Sequence, residues 1–264
     1  AERLTPRPYE AIECVVHYNA VDDASAGTVT LVQPMGDAFL VLDSRSPSAS
    51  KVAELLSATP VRIFLPEDFA AVQHGKLLLN LLNAVNAMSG IPLGVMLMDA
   101  SYRLVVAASM SEAKAVFKAM GITPRAARAP EKLLVRFFVT LMRLPQVLFE
   151  ALLGPMCKAR EHALTSMAQD LNARKVPTEV DYFNGEIVRL GKRWGVPTPV
   201  NERLLAMVRE AEVANVGCPG IPGPVLAEKL GVPLTPWLAW WFSLSFAVCG
   251  VAALAIARSG RPRA

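Results

Sequence analysis

A lysine and three asparagines interrupt a leucine-rich stretch whose composition is otherwise that of a core helix. The stretch is KLLLNLLNAVNAMSG, residues 76–90, and its polar members include Lys76, Asn80, Asn83 and Asn86. At 100° per residue, Lys76, Asn80 and Asn83 share an arc of about 60° on a helix, with Asn86 on its flank. Apolar side chains fill most of the remaining circumference, which predicts a largely buried helix with one narrow polar stripe.

Two interpretations of this polar stripe are open. It can face solvent, or it can line a cleft in which a polar ligand supplies hydrogen-bond partners. Asparagine is a mediocre helix former, so a wet helix surface would favour Glu, Lys or Gln instead. An unpaired buried amide costs about 1–3 kcal/mol, so a buried row of amides implies partners. Both considerations favour a ligand site.

A second group of candidate residues lies in SMAQDLNARKVPTEVDYFNGEIVRLGKRWGVPTPVN, residues 166–201. Thr178 is predicted to be the N-cap of a helix, with Asp181 at the capping-box spacing. Glu179 borders the apolar face of that helix in its first turn, where a glutamate either only complements the helix dipole or binds a ligand. The apolar face itself is predicted from Val180, Phe183, Ile187, Leu190 and Trp194.

Periodicity along the chain places both groups on helices that follow a β-rich N-terminal segment. Short β-branched runs within residues 12–43 and the run VRIFLP predict strands, with a short amphipathic helix from SPSASKVAELLSAT between them. Helices are then predicted at about 68–89, 99–120, 131–153, 155–173, 179–194 and 200–214, separated by breaks that contain Gly or Pro. The stretch GCPGIPGPV is predicted to be a linker, too rich in proline to open a helix.

The two motifs together resemble the ketopantoate reductases (2-dehydropantoate 2-reductases), over about residues 10–225. In that family a Rossmann domain binds NADPH, and an all-α C-terminal domain of the 6-phosphogluconate dehydrogenase C-terminal-like type closes over a 2-keto acid. The resemblance therefore implies an α/β part at residues 1–70, as the C-terminal part of an incomplete Rossmann domain. Residues 71–225 would be the all-α substrate and catalytic domain.

The resemblance also implies roles for individual residues. Lys76 matches the catalytic lysine, which protonates the carbonyl oxygen as hydride reaches the carbon. Asn80 matches an amide that holds the substrate, Ser166 a serine that contacts it, and Glu179 a carboxylate that binds its hydroxyl. A cationic donor suits this reaction because hydride addition to a ketone builds negative charge on oxygen.

The sequence departs from the family pattern in three places. The second substrate asparagine of the family often stands eight residues after the lysine, where this chain has Ala84, so Asn83 and Asn86 are the candidates for that role. One residue more than usual separates Ser166 from Glu179. No strand is followed by G-x-G-x-x-G, so cofactor-binding residues are not assigned. The phosphate-binding half of the domain is expected upstream of residue 1, and the chain alone is expected to be inactive.

The function predicted from the resemblance is NADPH-dependent reduction of 2-dehydropantoate to pantoate, in pantothenate and coenzyme A synthesis. One alternative is a paralogue with the same catalytic residues and another 2-keto acid. A second alternative, from a different class, is a non-catalytic, membrane-tethered remnant that acts as a binding module. Retention of Lys76, Asn80, Ser166 and Glu179 together argues against the remnant.

Composition restricts the remaining classes. Basic residues are scattered and give a net charge of +4, which offers little support for nucleic-acid binding. The three histidines show no metal-ligand spacing, and four well-separated cysteines indicate free thiols in a cytoplasmic protein. Residues 237–257 are uncharged and long enough to be a transmembrane anchor, with a buried helix as the alternative. The oligomeric state stays open, with a homodimer as one candidate.

Overall fold

The structure is a computed structural model that describes residues 11–18, 20–23, 27–31, 38–127 and 131–234. The chain divides into two compact units. Unit 1 comprises Ala1–Leu79 and Gly121–Arg136, and unit 2 comprises Asn80–Met120 and Phe137–Ala264. The division lies near the end of the helix that carries Lys76, later in the chain than the domain boundary expected near residue 70.

Unit 1 contains the β-rich segment that the sequence predicts. Its elements are β1 (Cys14–His17), β2 (Ala20–Asp23), β3 (Thr28–Leu31), β4 (Phe39–Leu42), α1 (Ala49–Leu56), β5 (Arg62–Phe64) and α2 (Phe69–Asn80), of which α2 ends in unit 2. Strand β4 is central in a three-stranded sheet, antiparallel to β1 and parallel to β5. Strands β2 and β3 form a separate antiparallel pair. The predicted strands and the short helix are therefore confirmed.

The N-terminal half of α2 is fixed to this sheet by a small apolar core. Phe69 and Val72 of α2 pack with Val15 of β1 and with Phe39 and Val41 of β4, and all five side chains are buried. Burial of these groups is the main force that holds the helix in place. The core thereby sets where the next turn of α2 lies.

Gly75 allows a second segment of unit 1 to cross α2 at close range. A Cβ atom at Gly75 would lie 2.0 Å from the carbonyl oxygen of Arg125. The backbone N–H of Arg125 donates to the carbonyl of Ala71 over 2.8 Å. Only glycine fits such an approach, so the residue directly before Lys76 is fixed by backbone packing.

Unit 2 is entirely helical in the residues that the structure describes. Its helices are α3 (Leu82–Ser89), α4 (Leu93–Met98), α5 (Ala100–Ala119), α7 (Gln146–Lys158), α8 (Ser166–Asn172), α9 (Val180–Trp194), α10 (Pro199–Ala214) and α11 (Gly223–Leu230), and α6 (Glu131–Met142) enters it from unit 1. Helix α3 packs against α8 and α10, and α9 packs against α10 and α5. The predicted helix at 68–89 is divided into α2 and α3 at Leu81, which keeps a right-handed helical backbone.

The single helix predicted at 131–153 is wrong, because the chain breaks between α6 and α7. Buried Arg103, 1% exposed, donates hydrogen bonds to the carbonyls of Met142 and Leu144 at the break, each over 3.3 Å. Its guanidinium also stacks over the ring of Phe149, 4.1 Å from the centroid. The backbone carbonyls that the break leaves without helical partners thus accept hydrogen bonds from the buried Arg103 guanidinium.

The predicted break at Gly154–Pro155 is also wrong, because α7 continues through Pro155 to Lys158. The proline removes the hydrogen bond to the carbonyl of Ala151, which belongs to an exposed residue and can be solvated. The prolines around Gly223 do not prevent a helix either. Helix α11 begins at Gly223 with Pro222 as its N-cap and a proline in its first turn, where no N–H is required.

The hydrophobic segment 237–257 lies outside the described residues, so the structure does not bear on the expected anchor. Among the residues that are described, no helix combines the length and the apolar character needed to cross a bilayer.

Candidate functional site

Lys76 lies on the second half of α2, beyond the core that fixes the helix. Its side chain is half-buried, and its ammonium donates a hydrogen bond to the carbonyl of Val16 near the end of β1. The adjacent Gly75 holds the backbone against the segment at Arg125. Packing within unit 1 therefore fixes the backbone at Lys76, whose side chain is half-buried.

His17 on β1 is a titratable neighbour of Lys76. Its ring stacks on Phe39, with 4.3 Å between the ring centroids. Burial, and secondly the positive charge of Lys76, lowers the pKa of His17 from 6.5 to about 4. The imidazole is consequently neutral at neutral pH and adds no second positive charge beside Lys76.

Asn80 and Asn83 belong to the open part of the polar stripe. Asn80 is the last residue of α2, one turn after Lys76, and Asn83 lies in the first turn of α3. Both are half-exposed, and neither side chain forms a hydrogen bond with the described part of the chain. Between them Leu81 is fully buried, so the helix face opposite the polar stripe is packed in the core, as predicted.

Asn86 differs from the other two asparagines because both of its amide atoms are engaged within unit 2. It is fully buried; Nδ2 donates to the carbonyl of Ile91 over 2.8 Å, and Oδ1 accepts from the backbone N–H of Thr165 over 3.0 Å. The Thr165 hydroxyl donates to the same oxygen over 3.1 Å. The expected substrate role of Asn86 stays a prediction, and burial disfavours it relative to Asn80 and Asn83.

Ser166 and Glu179 each stand at the start of a helix with an exposed side chain. Ser166 is the first residue of α8, and Glu179 is the N-cap of α9. Neither side chain forms a hydrogen bond within the described residues. Both side chains are therefore accessible, and the ligand roles that the resemblance implies for them stay predictions.

The N-cap predicted at Thr178 is wrong by one residue. Thr178 is buried, its backbone N–H donates to Glu212 over 2.7 Å, and its hydroxyl accepts from the N–H of Val180 over 3.3 Å. Asp181 forms no capping box and pairs with Arg209 instead. Glu212 of α10 thus accepts from the Thr178 N–H that the predicted capping box assigns to Asp181, whereas the Thr178 hydroxyl keeps a bond to the first turn of α9.

A buried amide network, not anticipated from the sequence, explains other polar residues of the second motif. Asn201 is fully buried; its Oδ1 accepts from Ser109 and Asn184 over 2.9 Å each, and its Nδ2 donates to Glu112 over 2.7 Å. Glu112 also accepts from the backbone N–H groups of Val200 and Asn201, at the start of α10. The asparagines of this network join α5, α9 and α10. The second motif, residues 166–201, thus contains structural amides as well as the exposed Glu179.

The family of the chain follows from its match over the segment that carries these residues. The family model described as "Ketopantoate reductase PanE/ApbA C terminal" matches residues 68–212. The chain belongs to the ketopantoate reductase family. Lys76, Asn80, Ser166 and Glu179 all lie inside the matched segment.

Relatives of this ketopantoate reductase family member agree with the match. The 2-dehydropantoate 2-reductase of Pyrobaculum aerophilum is 30% identical over 168 residues, which are 63% of this chain and 52% of the relative. The chain therefore spans about half the length of this curated relative.

Solved structures share the fold at lower identity. A PanE/ApbA family ketopantoate reductase from Ralstonia eutropha JMP134 is similar with a TM-score of 0.60 and 24% identity, over 76% of this chain and 59% of that chain. D-mandelate dehydrogenase in a ternary structure with NADH and anilino(oxo)acetate is similar with a TM-score of 0.60 and 20% identity, over the same 76% and 59%. These likenesses establish the fold, a small α/β part followed by a helical domain.

The turn between β4 and α1 lacks the features of a pyrophosphate-binding turn. Between β4 and α1, where a dinucleotide fold can place such a turn, the chain has no glycine, and Arg45 forms a bidentate pair with Asp43. The arginine beside Asp43 lowers the pKa of that carboxyl group. An ion pair with a carboxylate in this turn does not suit a diphosphate, so no described residue is assigned to the cofactor.

Outside the predicted site residues, the described chain has a groove on unit 2 and three cysteines. A groove of about 500 Å³ on unit 2 is lined mainly by α10 and by the segment after it, and none of the predicted site residues lines it. No cluster of three or more His, Cys, Asp and Glu side chains suitable for a metal ion occurs among the described residues. The three described cysteines, Cys14, Cys157 and Cys218, are free thiols.

Proposed function

We propose that this protein reduces a 2-keto acid to a 2-hydroxy acid with NADPH as the hydride donor, and that its substrate is 2-dehydropantoate. The observation that carries the proposal is the pair Lys76 and Asn80, one turn apart on an otherwise apolar helix within the family match. Asn80 has no partner of its own in the described chain, although leucines surround it. A polar ligand beside α2 accounts for this combination.

Lys76 is proposed as the general acid. When hydride adds to the carbonyl carbon, the two π electrons move to oxygen, which becomes negatively charged. Lys76 transfers a proton from Nζ to that oxygen, so an O–H bond forms as an N–H bond breaks, and the amine later regains a proton from water. Before transfer, the ammonium also stabilises the developing charge.

Asn80, Ser166 and Glu179 are proposed to bind and orient the substrate. An amide and a hydroxyl can hold the polar ends of a small keto acid without adding charge, and a carboxylate can accept from a substrate hydroxyl. The three side chains are available for this purpose, since none forms a hydrogen bond within the described residues. Asn83 is the candidate for the second substrate amide, because Asn86 is buried.

The similarity to D-mandelate dehydrogenase favours a second candidate function, the reduction of a different 2-keto acid. Anilino(oxo)acetate, which that protein holds together with NADH, is itself a 2-oxo carboxylate. The same lysine chemistry would serve either substrate, and NADH could then replace NADPH. Substrate choice would depend on the groups that contact the rest of the keto acid.

The test is a steady-state assay of NADPH and NADH oxidation by the full-length gene product with a panel of 2-keto acids. We expect the highest kcat/KM with 2-dehydropantoate and NADPH, and a loss of kcat of about 10²- to 10⁴-fold for Lys76→Ala. Lys192→Ala, which removes an exposed lysine on α9, is the matched control and should keep normal turnover. Preference for another keto acid would favour the paralogue. Unchanged turnover of Lys76→Ala would exclude Lys76 as the acid, and no turnover with any keto acid would favour a non-catalytic binding module.

A further inference from the structure

Asn86 connects three separate parts of unit 2 through one buried side chain. It lies on α3, its Nδ2 donates to Ile91 in the turn after that helix, and its Oδ1 accepts twice from Thr165, from the backbone N–H and from the hydroxyl. These bonds span 2.8 to 3.1 Å and engage both ends of the amide. No part of Asn86 is exposed, so a substrate in solution cannot reach it.

Thr165 occupies a position from which it sets the place of Ser166. It is the N-cap of α8, and Ser166 is the next residue and the first of that helix. Threonine is a favoured N-cap because its oxygen can accept from its own helix, yet here the side chain makes no such bond. Its hydroxyl is directed to Asn86 instead. The start of α8 is therefore located by a bond to α3.

Neighbouring backbone contacts hold the same region rigid. The N–H groups of Leu93 and Gly94, at the start of α4, donate to the carbonyls of Ala163 over 2.7 Å and of Arg160 over 3.0 Å. A Cβ atom at Gly94 would lie 2.0 Å from the carbonyl oxygen of Cys157, so the two segments approach as closely as glycine allows. The chain that leads to Thr165 thus has little freedom, and Asn86 fixes its final residue.

We propose that Asn86 is a positioning residue for Ser166 and acts on the substrate only through Thr165. This inference rests on the proposed function, in which the Ser166 hydroxyl contacts the keto acid. Asn86 is buried and Ser166 is exposed, with Thr165 as the link between them. A shift of α8 by a fraction of an ångström would move the Ser166 hydroxyl relative to the substrate and weaken binding more than it affects proton transfer.

The first experiment replaces the hydroxyl that contacts Asn86 while preserving side-chain shape. Thr165→Val should raise KM for the keto acid about three- to tenfold, the size of one net hydrogen bond, with kcat and KM for NADPH unchanged. Thr165→Ser keeps the hydroxyl and should restore normal KM. Ser109→Ala is the matched control, since Ser109 also donates to a buried asparagine, Asn201; it should lower stability without changing KM.

A double-mutant cycle identifies the route of the effect. In a Ser166→Ala background, Thr165→Val should produce no further rise in KM, because the group that it displaces is already gone. An equal rise in both backgrounds would overturn the proposal, as would a normal KM in Thr165→Val. Failure of the proposed function is separately visible, because the unmodified protein would then reduce no 2-keto acid, or Lys76→Ala would keep normal turnover. Loss of folding in Asn86→Ala would not interfere, since the test uses Thr165.

Discussion

The polar side chains of the two family motifs fall into two sets that differ in burial and in bonding. The bonded set consists of Asn86, Asn184 and Asn201, which are fully buried and hydrogen-bonded inside unit 2. The open set consists of Asn80, Asn83, Ser166 and Glu179, which are at least partly exposed and form no side-chain hydrogen bond within the described residues. Asparagine occurs in both sets, so residue type alone does not distinguish a structural amide from one available to a ligand.

The difference between the sets teaches where each kind of constraint originates. A buried amide is retained because its neighbours would lose partners without it, whatever the protein does. An exposed side chain without partners contributes little to stability, so the substrate role proposed above would account for the asparagines on an otherwise apolar helix. The sets should therefore respond differently to substitution: the bonded set in stability and the open set in activity.

The largest expected effect on stability comes from Asn201 in the bonded set. Asn201→Ala removes the side-chain hydrogen bonds to Ser109, Asn184 and Glu112, and it leaves the buried Ser109 hydroxyl and Asn184 amide without that partner. We expect the free energy of unfolding to fall by about 2–4 kcal/mol, measured by urea denaturation. Val213→Ala, at an 88% exposed position on the same helix, should change it by less than about 0.5 kcal/mol. Equal stability of the two variants would contradict the structural role of the network.

Glu179 provides the complementary test from the open set. Glu179→Gln keeps the shape of the side chain and removes its charge, so kcat/KM for the keto acid should fall about 10- to 100-fold through the loss of a charged hydrogen bond to substrate. Thermal stability should stay close to that of the unmodified protein. Glu228→Gln, an exposed glutamate on α11, is the control and should leave kcat/KM unchanged. A stability loss without a kinetic effect would move Glu179 into the bonded set.

The sequence could predict the open set better than the bonded one, for a physical reason. A helical wheel uses only local spacing, and that spacing was sufficient to place Lys76 and Asn80 on one polar stripe. Asn86 lies on the flank of the same stripe, and its side-chain oxygen is bonded by Thr165, which is distant in sequence. The family resemblance implied a ligand-binding role for Glu179, which stays a prediction. Local spacing could not show that Glu212, instead of Asp181, accepts from the backbone N–H of Thr178.

The predictions of helix boundaries were wrong for a related reason. The break between α6 and α7 exists where Arg103, from another helix, donates hydrogen bonds to the released carbonyls of Met142 and Leu144. Helix α11 opens among prolines because a helix start requires no N–H there. Local propensity determines the free-energy cost of beginning or ending a helix at a given residue. Tertiary hydrogen bonds determine whether that cost is offset.

Asn80 and Asn83 can be compared directly, because they share an environment and differ in position. Asn80→Ala should raise KM for the keto acid about three- to tenfold, and Asn83→Ala should raise it less, since only Asn80 follows Lys76 by one turn on α2. Gln73→Ala, at an exposed position on α2, is the control for changes in helix stability. A larger effect at Asn83 would reverse the assignment, and no effect at either would remove the stripe from the substrate site.

The smallest expected effect concerns His17, a half-buried residue near Lys76 in unit 1. It is an effect on the pH dependence of the free energy of unfolding. Its pKa in the folded protein is about 4, below its ordinary value of 6.5, so between these pH values the unfolded chain binds a proton that the folded chain does not. The free energy of unfolding should therefore fall as pH decreases from 6.5 towards 4, and it should have no dependence on His17 above 6.5. His17→Gln should make this fall shallower in urea denaturation followed by circular dichroism, whereas replacement of exposed His162 by Gln should leave it as it is. If the free energy of unfolding of His17→Gln depended on pH as in the unmodified protein, His17 would be protonated in the folded protein below pH 6.5. Unit 1 would then have a second positive charge near Lys76.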